Sequence, residues 1–297
     1  MMIRWAYPFG TPETEAPLLG LRGDPETLFP ALREMGYSAI EPFVRDPKRF
    51  DVAQFSRQVR KFGLEVAAVG TGPVVPDDRL TFTAPEEGVR AEAIRRAKEV
   101  VEFAALFGCQ VNIGKLRGEI RKECPDACRN WMREGFAQVC AHADPYGVLI
   151  TLEPQNRTVI NNLNTTREGL AFLREMNLSN LMLMADIYHM NLEDPSIVAG
   201  LIEASPLLRH VHFADSNRRA PGRGNLNFAE IIRVLKALGY DRFVSVEIAQ
   251  GTDGLAEARF AADTLRFIDA QTDAEWGRPF KNGQTQGERE PKSASYR

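Results

Sequence analysis

Three stretches of this chain run largely apolar, and a fourth is apolar apart from Arg209 and His210; each then stops at a side chain that can ligate an ion or move a proton. Residues 148–152 end at Glu153, 181–185 at Asp186, 207–211 at His212 and 243–246 at Glu247. A continuous apolar run of this length reads as a strand buried on both faces, as in parallel sheets. A carboxylate at its end has no packing role and leaves the core where the chain emerges from the sheet. Three carboxylates and one imidazole, brought together, form a donor set for a hard or borderline divalent ion such as Mn²⁺, Mg²⁺, Co²⁺ or Zn²⁺. A single acid at a strand end is ordinarily a surface residue or a helix cap; four in succession argue for a shared purpose. His210 points the same way as His212 by strand alternation, but it lies deeper in the strand and is the lesser candidate.

The elements that must position these ends alternate along the whole chain. Strands are expected over 3–7, 38–43, 64–70 and 109–113, ahead of the four already described. Helices are expected over 25–35, 51–62, 85–107, 125–143, 165–176, 195–204, 228–238 and 255–268. Asp24 is an N-cap with Pro25 at the first helical position, and Gly36, Gly63, Gly108 and Gly239 close helices just before a strand. Eight strand–helix units give an α/β fold, a (β/α)₈ TIM barrel, whose active site lies at the C-terminal ends of the strands. A doubly wound open sheet is the other reading, but no Gly-x-Gly-x-x-Gly follows the first strand. One domain is expected over 1–270. The polar segment 271–297 is expected to be disordered or to pack on a neighbour.

The formal net charge of −3 gives no reason to expect nucleic acid or a membrane as partner. The start lacks a basic region followed by a long apolar one, and no apolar run is long enough to span a bilayer. Four cysteines fit a reducing cytoplasm better than a disulfide framework. Cys124, Cys128, Cys140 and His142 lie close in sequence, yet their spacing is not that of a zinc finger or ribbon, and they read as ordinary helix residues.

At four places the sequence resembles the xylose isomerase-like barrels, in their ketose 3-epimerase and hydroxypyruvate isomerase branch. The motifs are 152–157 (LEPQNR), 186–191 (DIYHMN), 212–218 (HFADSNR) and 221–224 (PGRG). The resemblance implies that Glu153, Asp186, His212 and Glu247 are the metal ligands, with Mn²⁺ the first choice, and that His189 and Arg218 contact substrate oxygens. It implies a small sugar or sugar-acid substrate and an isomerase that abstracts a proton next to a carbonyl; a homo-oligomer is expected. One departure stands out. A second glutamate, six residues after the fifth-strand ligand, bonds the sugar in those enzymes, and here that position is Val159.

The chemistry follows from residue types. A hydrogen next to a ketone is a weak acid, and removing it needs a base and a charge stabiliser for the oxygen. Two carboxylates on opposite sides of the sugar plane, here Glu153 and Glu247, allow removal from one face and return to the other. A metal-dependent lyase or dehydratase shares the first half of this chemistry and is the alternative. An abasic-site endonuclease needs more histidine and aspartate ligands and a basic groove than four histidines and a charge of −3 offer. A non-catalytic sugar-binding protein leaves the acid/base pair without purpose. Tyr188 and Trp5 are candidate pocket walls or core aromatics, and Met182, Met184 and Met190 candidate core. Lys115, Arg117, Arg157, Arg218, Arg219 and Arg223 follow strands, and form either a solvated basic rim or a site for an anionic substrate.

Overall fold

The computed structural model describes residues 3–276. The strands are Arg4–Gly10, Ala39–Phe43, Glu65–Val66 with Ala68–Gly70, Gln110–Ile113, Ile150–Leu152, Leu181–Asp186, Leu208–Phe213 and Phe243–Val246. Glu65–Val66 and Ala68–Gly70 both pair with the second strand and form one interrupted third strand. Neighbouring strands pair in parallel around the sheet, and the first strand bonds both the second and the eighth. The sheet is therefore a closed barrel of eight strands wrapped by helices, the (β/α)₈ architecture read from the sequence.

Local chemistry sets the helix ends. Asp24 accepts from the amide of Glu26 ahead of Pro25–Met35, and Gly36 closes that helix at φ 97°, a left-handed conformation that favours glycine. Thr165 and Glu168 form a reciprocal capping box at Thr166–Met176. Leu28, Phe29, Leu32 and Met35 put one face of the first helix on the barrel. Phe29 meets Phe9 edge-on at 5.0 Å between ring centroids, which joins helix to strand.

Several boundaries differ from the expectation. A short helix, Val74–Asp78, follows the third strand. The helix expected over 195–204 spans Ile197–Ala204 and is preceded by another, Ile187–Glu193. That extra helix starts at once because Asp186, the last strand residue, is also its N-cap, accepting from the amides of Tyr188 (2.9 Å) and His189 (3.4 Å). The last helix runs Gly254–Trp276, past the expected end at residue 268. The rest of the polar segment, 277–297, lies outside the described residues.

Cys128 and Cys140 are buried in the helix Pro125–Ala143, the thiols of Cys124 and Cys128 are 3.8 Å apart, and His142 engages Glu102 at 3.1 Å. Among the described residues these cysteines and His142 form no shared ligand group. No described helix is long and apolar enough to cross a membrane.

The barrel interior is unusual in its upper half. Barrel centres are commonly filled by branched apolar side chains. Here Glu41 sits at the centre with no exposed surface, accepting from Asn112 Nδ2 at 2.8 Å and lying 2.9 Å from Nε2 of both His210 and His212. Thr151 donates to Asn112 Oδ1, and Ser245 Oγ lies 3.1 Å from His210 Nε2. Strands two, four, five, seven and eight are thus tied beneath the rim by one polar network.

Candidate functional site

The ends of strands five to eight converge. Glu153, Asp186, His212 and Glu247 each offer a ligand atom, and these four atoms all lie within 4.8 Å of one another. Three of the four side chains are buried and Glu247 is partly so. Nδ1 of His212 lies 3.3 Å from Glu247 Oε2 and 3.8 Å from Asp186 Oδ2, yet it has no hydrogen-bond partner. A buried imidazole nitrogen without a partner, aimed into a set of carboxylates, fits a metal ligand. The carboxylate–histidine pair behind it, Glu41 with Nε2 of His212, is the support such a ligand needs to hold its ring plane and tautomer. Glu41 falls inside the strand expected over 38–43, and its partners are 169 and 171 residues away, out of reach of any local pattern.

Glu153 is held from two sides. Gln155 Nε2 donates to its Oε2 at 2.8 Å, and the buried guanidinium of Arg117 donates to its backbone oxygen at 2.9 Å. Gly114, on the neighbouring strand end, allows this approach, because a Cβ there would lie 2.5 Å from Glu153 Oε2 and 2.7 Å from Gln155 Nε2.

His189 rides on the helix capped by Asp186. The side-chain oxygen of Asn156 accepts from the amide of Thr158 at 3.0 Å, so its nitrogen donates to His189 Nδ1 at 2.8 Å. That network assigns the other proton to Nε2, which faces Glu153 and Asp186 at 3.8 Å each. His189 is therefore a neutral donor aimed at the site, and its pKa is pulled down to about 4, chiefly by burial.

Arg218 reaches the same carboxylates. It donates to Asp186 Oδ2 at 2.6 Å and to Glu247 Oε2, with its guanidinium carbon 4.8 Å from the centroid of the Tyr188 ring. Its backbone is left-handed at φ 60°, a conformation with a cost for a non-glycine residue. Tyr188 lines the site cavity, whereas Trp5 packs on Phe213 at 5.8 Å.

Burial and charge divide the titrating groups. Burial pushes the Glu153 carboxyl up to about 7, with the positive charge of His212 opposing and Asp186 reinforcing. Burial acts the same way on Asp186, but Arg218, His189 and His212 hold it well below the usual carboxylate range. Burial would lower His212, yet the charge of Glu41 and nearby acids outweigh it and push the imidazole up to about 10.

Glu153, His189, His212, Arg218 and Glu247 line a cavity of about 340 Å³, a size suited to a small molecule. The other walls include Phe43, Thr71, Pro73, Asn112, Lys115 and Val159. The six basic residues expected along the rim do not form one free patch. Arg117 has no exposed surface and binds Asn162 and backbone oxygens. Arg157 pairs with Glu193, Arg218 with Asp186 and Glu247, and Arg219 and Arg223 with Glu257. Among the described residues neither Arg117 nor Lys115 has a carboxylate partner, and of the two only Lys115 is exposed.

The family model for xylose isomerase-like TIM barrels matches residues 29–271. A ketose 3-epimerase of Arthrobacter globiformis is 30% identical over 70% of this chain and 72% of its own length. An L-ribulose 3-epimerase of Mesorhizobium japonicum is 31% identical over 72% of each. The solved structure of an L-ribulose 3-epimerase superposes with a TM-score of 0.77 at 24% identity, covering 93% of this chain and 97% of that one, which is a likeness of fold.

Proposed function

The chain belongs to the xylose isomerase-like TIM barrel family, and from this premise we propose that it is a divalent-metal-dependent sugar epimerase, an isomerase that inverts the carbon next to a ketone. The observation that carries the reading is the convergence of Glu153, Asp186, His212 and Glu247, with the unpartnered Nδ1 of His212 among the carboxylates. The similarity to a ketose 3-epimerase and an L-ribulose 3-epimerase supports a ketose as substrate.

A divalent ion held by these four side chains would supply the positive charge that stabilises the ketone oxygen as the adjacent proton leaves. Mn²⁺ is the proposed ion, since a carboxylate-rich set with one imidazole suits it; Mg²⁺, Co²⁺ and Zn²⁺ are its competitors. The protein's own groups do the rest. One of Glu153 and Glu247 takes the proton from one face of the sugar, and the other, already protonated, gives a proton to the opposite face. The carboxyls exchange protonation states in each turnover, which returns the site ready for the reverse substrate. Burial of Glu153 favours its protonated form, which opposes the acidifying pull of a bound cation and keeps the carboxylate a usable base. His189, through Nε2–H, and Arg218, by its forked donors, orient substrate oxygens. Gln155 and Arg117 keep Glu153 in place. The protein is proposed to act in the cytoplasm as a homo-oligomer.

The test is solvent-deuterium exchange into ketoses incubated with metal-stripped protein, with and without Mn²⁺, followed by product analysis. Exchange accompanied by the inverted sugar supports the reading. Exchange accompanied by loss of water or another leaving group replaces it with a lyase.

A further inference from the structure

Two cavities of this molecule meet at one wall. The site cavity and a neighbouring groove of about 500 Å³ share Lys115 and Val159. Lys115 follows Gly114 directly, so it leaves the barrel beside Glu153 and Gln155. The groove continues past it along Val75, Val89 and Ile160, with Arg79 and Arg121 as its further cations and Glu86 and Glu119 as its acids.

The cations here differ from those elsewhere on the rim. Lys115 and Arg79 are exposed and have no ion pair among the described residues, and Arg121 contacts the thiol of Cys124 at 3.5 Å and the Trp131 ring. The rim arginines on the other side of the cavity have carboxylate partners already. Among the described cations lining the two cavities, those without a carboxylate partner are thus Lys115, Arg79 and Arg121, and Lys115 stands on the shared wall. Val159, on the same wall, has no polar atom on its side chain. A neutral hydroxyl arriving there finds no acceptor on either side chain, whereas an anion finds an ammonium with open donors.

We propose that the ketose turned over at this site carries a terminal anionic group, a phosphate or a carboxylate, bound at the Lys115–Val159 wall with the groove cations beyond it. This rests on the epimerase reading for the location of the ketone; the recognition of the anion does not.

The test is calorimetric binding to the full chain loaded with Mn²⁺. The probes are D-fructose, D-fructose 6-phosphate and D-fructuronate, which compare a hydroxyl, a phosphate and a carboxylate on one carbon frame. One of the two anions should bind about tenfold or more tighter than the neutral sugar, the scale of one charged hydrogen bond. Lys115→Ala should shrink that ratio by about tenfold, Lys115→Arg should keep most of it, and added salt should reduce it. Val159→Glu, which sets a carboxylate on the same wall, should shift the ratio toward the neutral sugar. Equal binding of all three probes, or a ratio untouched by Lys115→Ala, overturns the proposal. Solvent-deuterium exchange in the same samples separates the two readings. Anion preference without exchange removes the epimerase and leaves the anion site. Exchange without anion preference does the reverse.

Discussion

His212 donates from Nε2 to Glu41 at 2.9 Å, and this contact turns its other ring nitrogen toward Glu247 and Asp186. The imidazole is thereby committed before any ligand arrives. Glu41→Gln keeps the size but removes the charge that fixes tautomer and ring. It should weaken Mn²⁺ binding roughly 10–100-fold while the far-ultraviolet dichroism of the fold persists. Titration of the metal-stripped variant checks this, and an unchanged affinity would show that Glu41 only fills the barrel centre.

Chelation should abolish turnover, and Mn²⁺ or Co²⁺ should restore it. Asp186 must be varied with care, because it is both a proposed ligand and the N-cap of Ile187–Glu193. Asp186→Asn keeps a capping oxygen but loses the ion pair with Arg218, so it should lose metal affinity and lower the melting temperature less than Asp186→Ala does. Asp186→Ala should lose the metal and also about 1 kcal/mol from the cap. Full activity in excess chelator would end the metal hypothesis.

Glu247→Gln retains an oxygen donor but no basic carboxylate. Turnover should fall by two or more orders of magnitude, on the scale of about 10²–10⁴ for a lost acid/base group, while metal affinity falls much less. Glu153→Gln should be equally inactive. The two variants should differ in which epimer still exchanges its proton with deuterated solvent, since each retains the base for one face. Parallel loss of metal and turnover in Glu247→Gln would leave that residue as a ligand only.

Metal capture should depend on pH in a defined direction. In the metal-free protein Glu153 titrates near 7, above its ordinary value of 4.5, and His212 near 10. Both must lose protons to ligate, so affinity should climb as pH rises through about 7. Proton release per ion should fall from about two near pH 5.5 to about one near pH 8.5. Calorimetry in buffers of different ionisation heat measures it, and a flat affinity across this range would contradict the assignment. The raised Glu153 also has a sign for stability. Its contribution in the metal-free protein is present below pH 4.5 and is lost as pH rises through about 7.

The sequence made the barrel and the four strand ends legible for one reason. An apolar run that stops at an acid reports burial and exit from the sheet within a few residues. What depends on distant pairing was hidden. Glu41 reads as one polar residue in a strand, and only closure of the barrel sets it against two histidines. Arg157 and Arg223 read as free rim charges, because their partners Glu193 and Glu257 lie 36 and 34 residues on. The helix after Asp186 was masked because the same residue ends a strand and starts a helix, and the apolar-then-polar pattern reports only the first. The break in the third strand has no counterpart in the pattern of 64–70, which reads as a single strand.

Arg218 gives the protein a cation of its own, bridging Asp186 and Glu247 from a left-handed backbone position. Buried acids that already have a covalently attached counter-charge do not need a dissolved ion in order to be tolerated in the native state. Synthesis of the chain and its loading can therefore be separate events in time. On the proposed metal-dependent reading, protein prepared in excess chelator should melt as a folded chain and gain activity on adding the ion, with no refolding step.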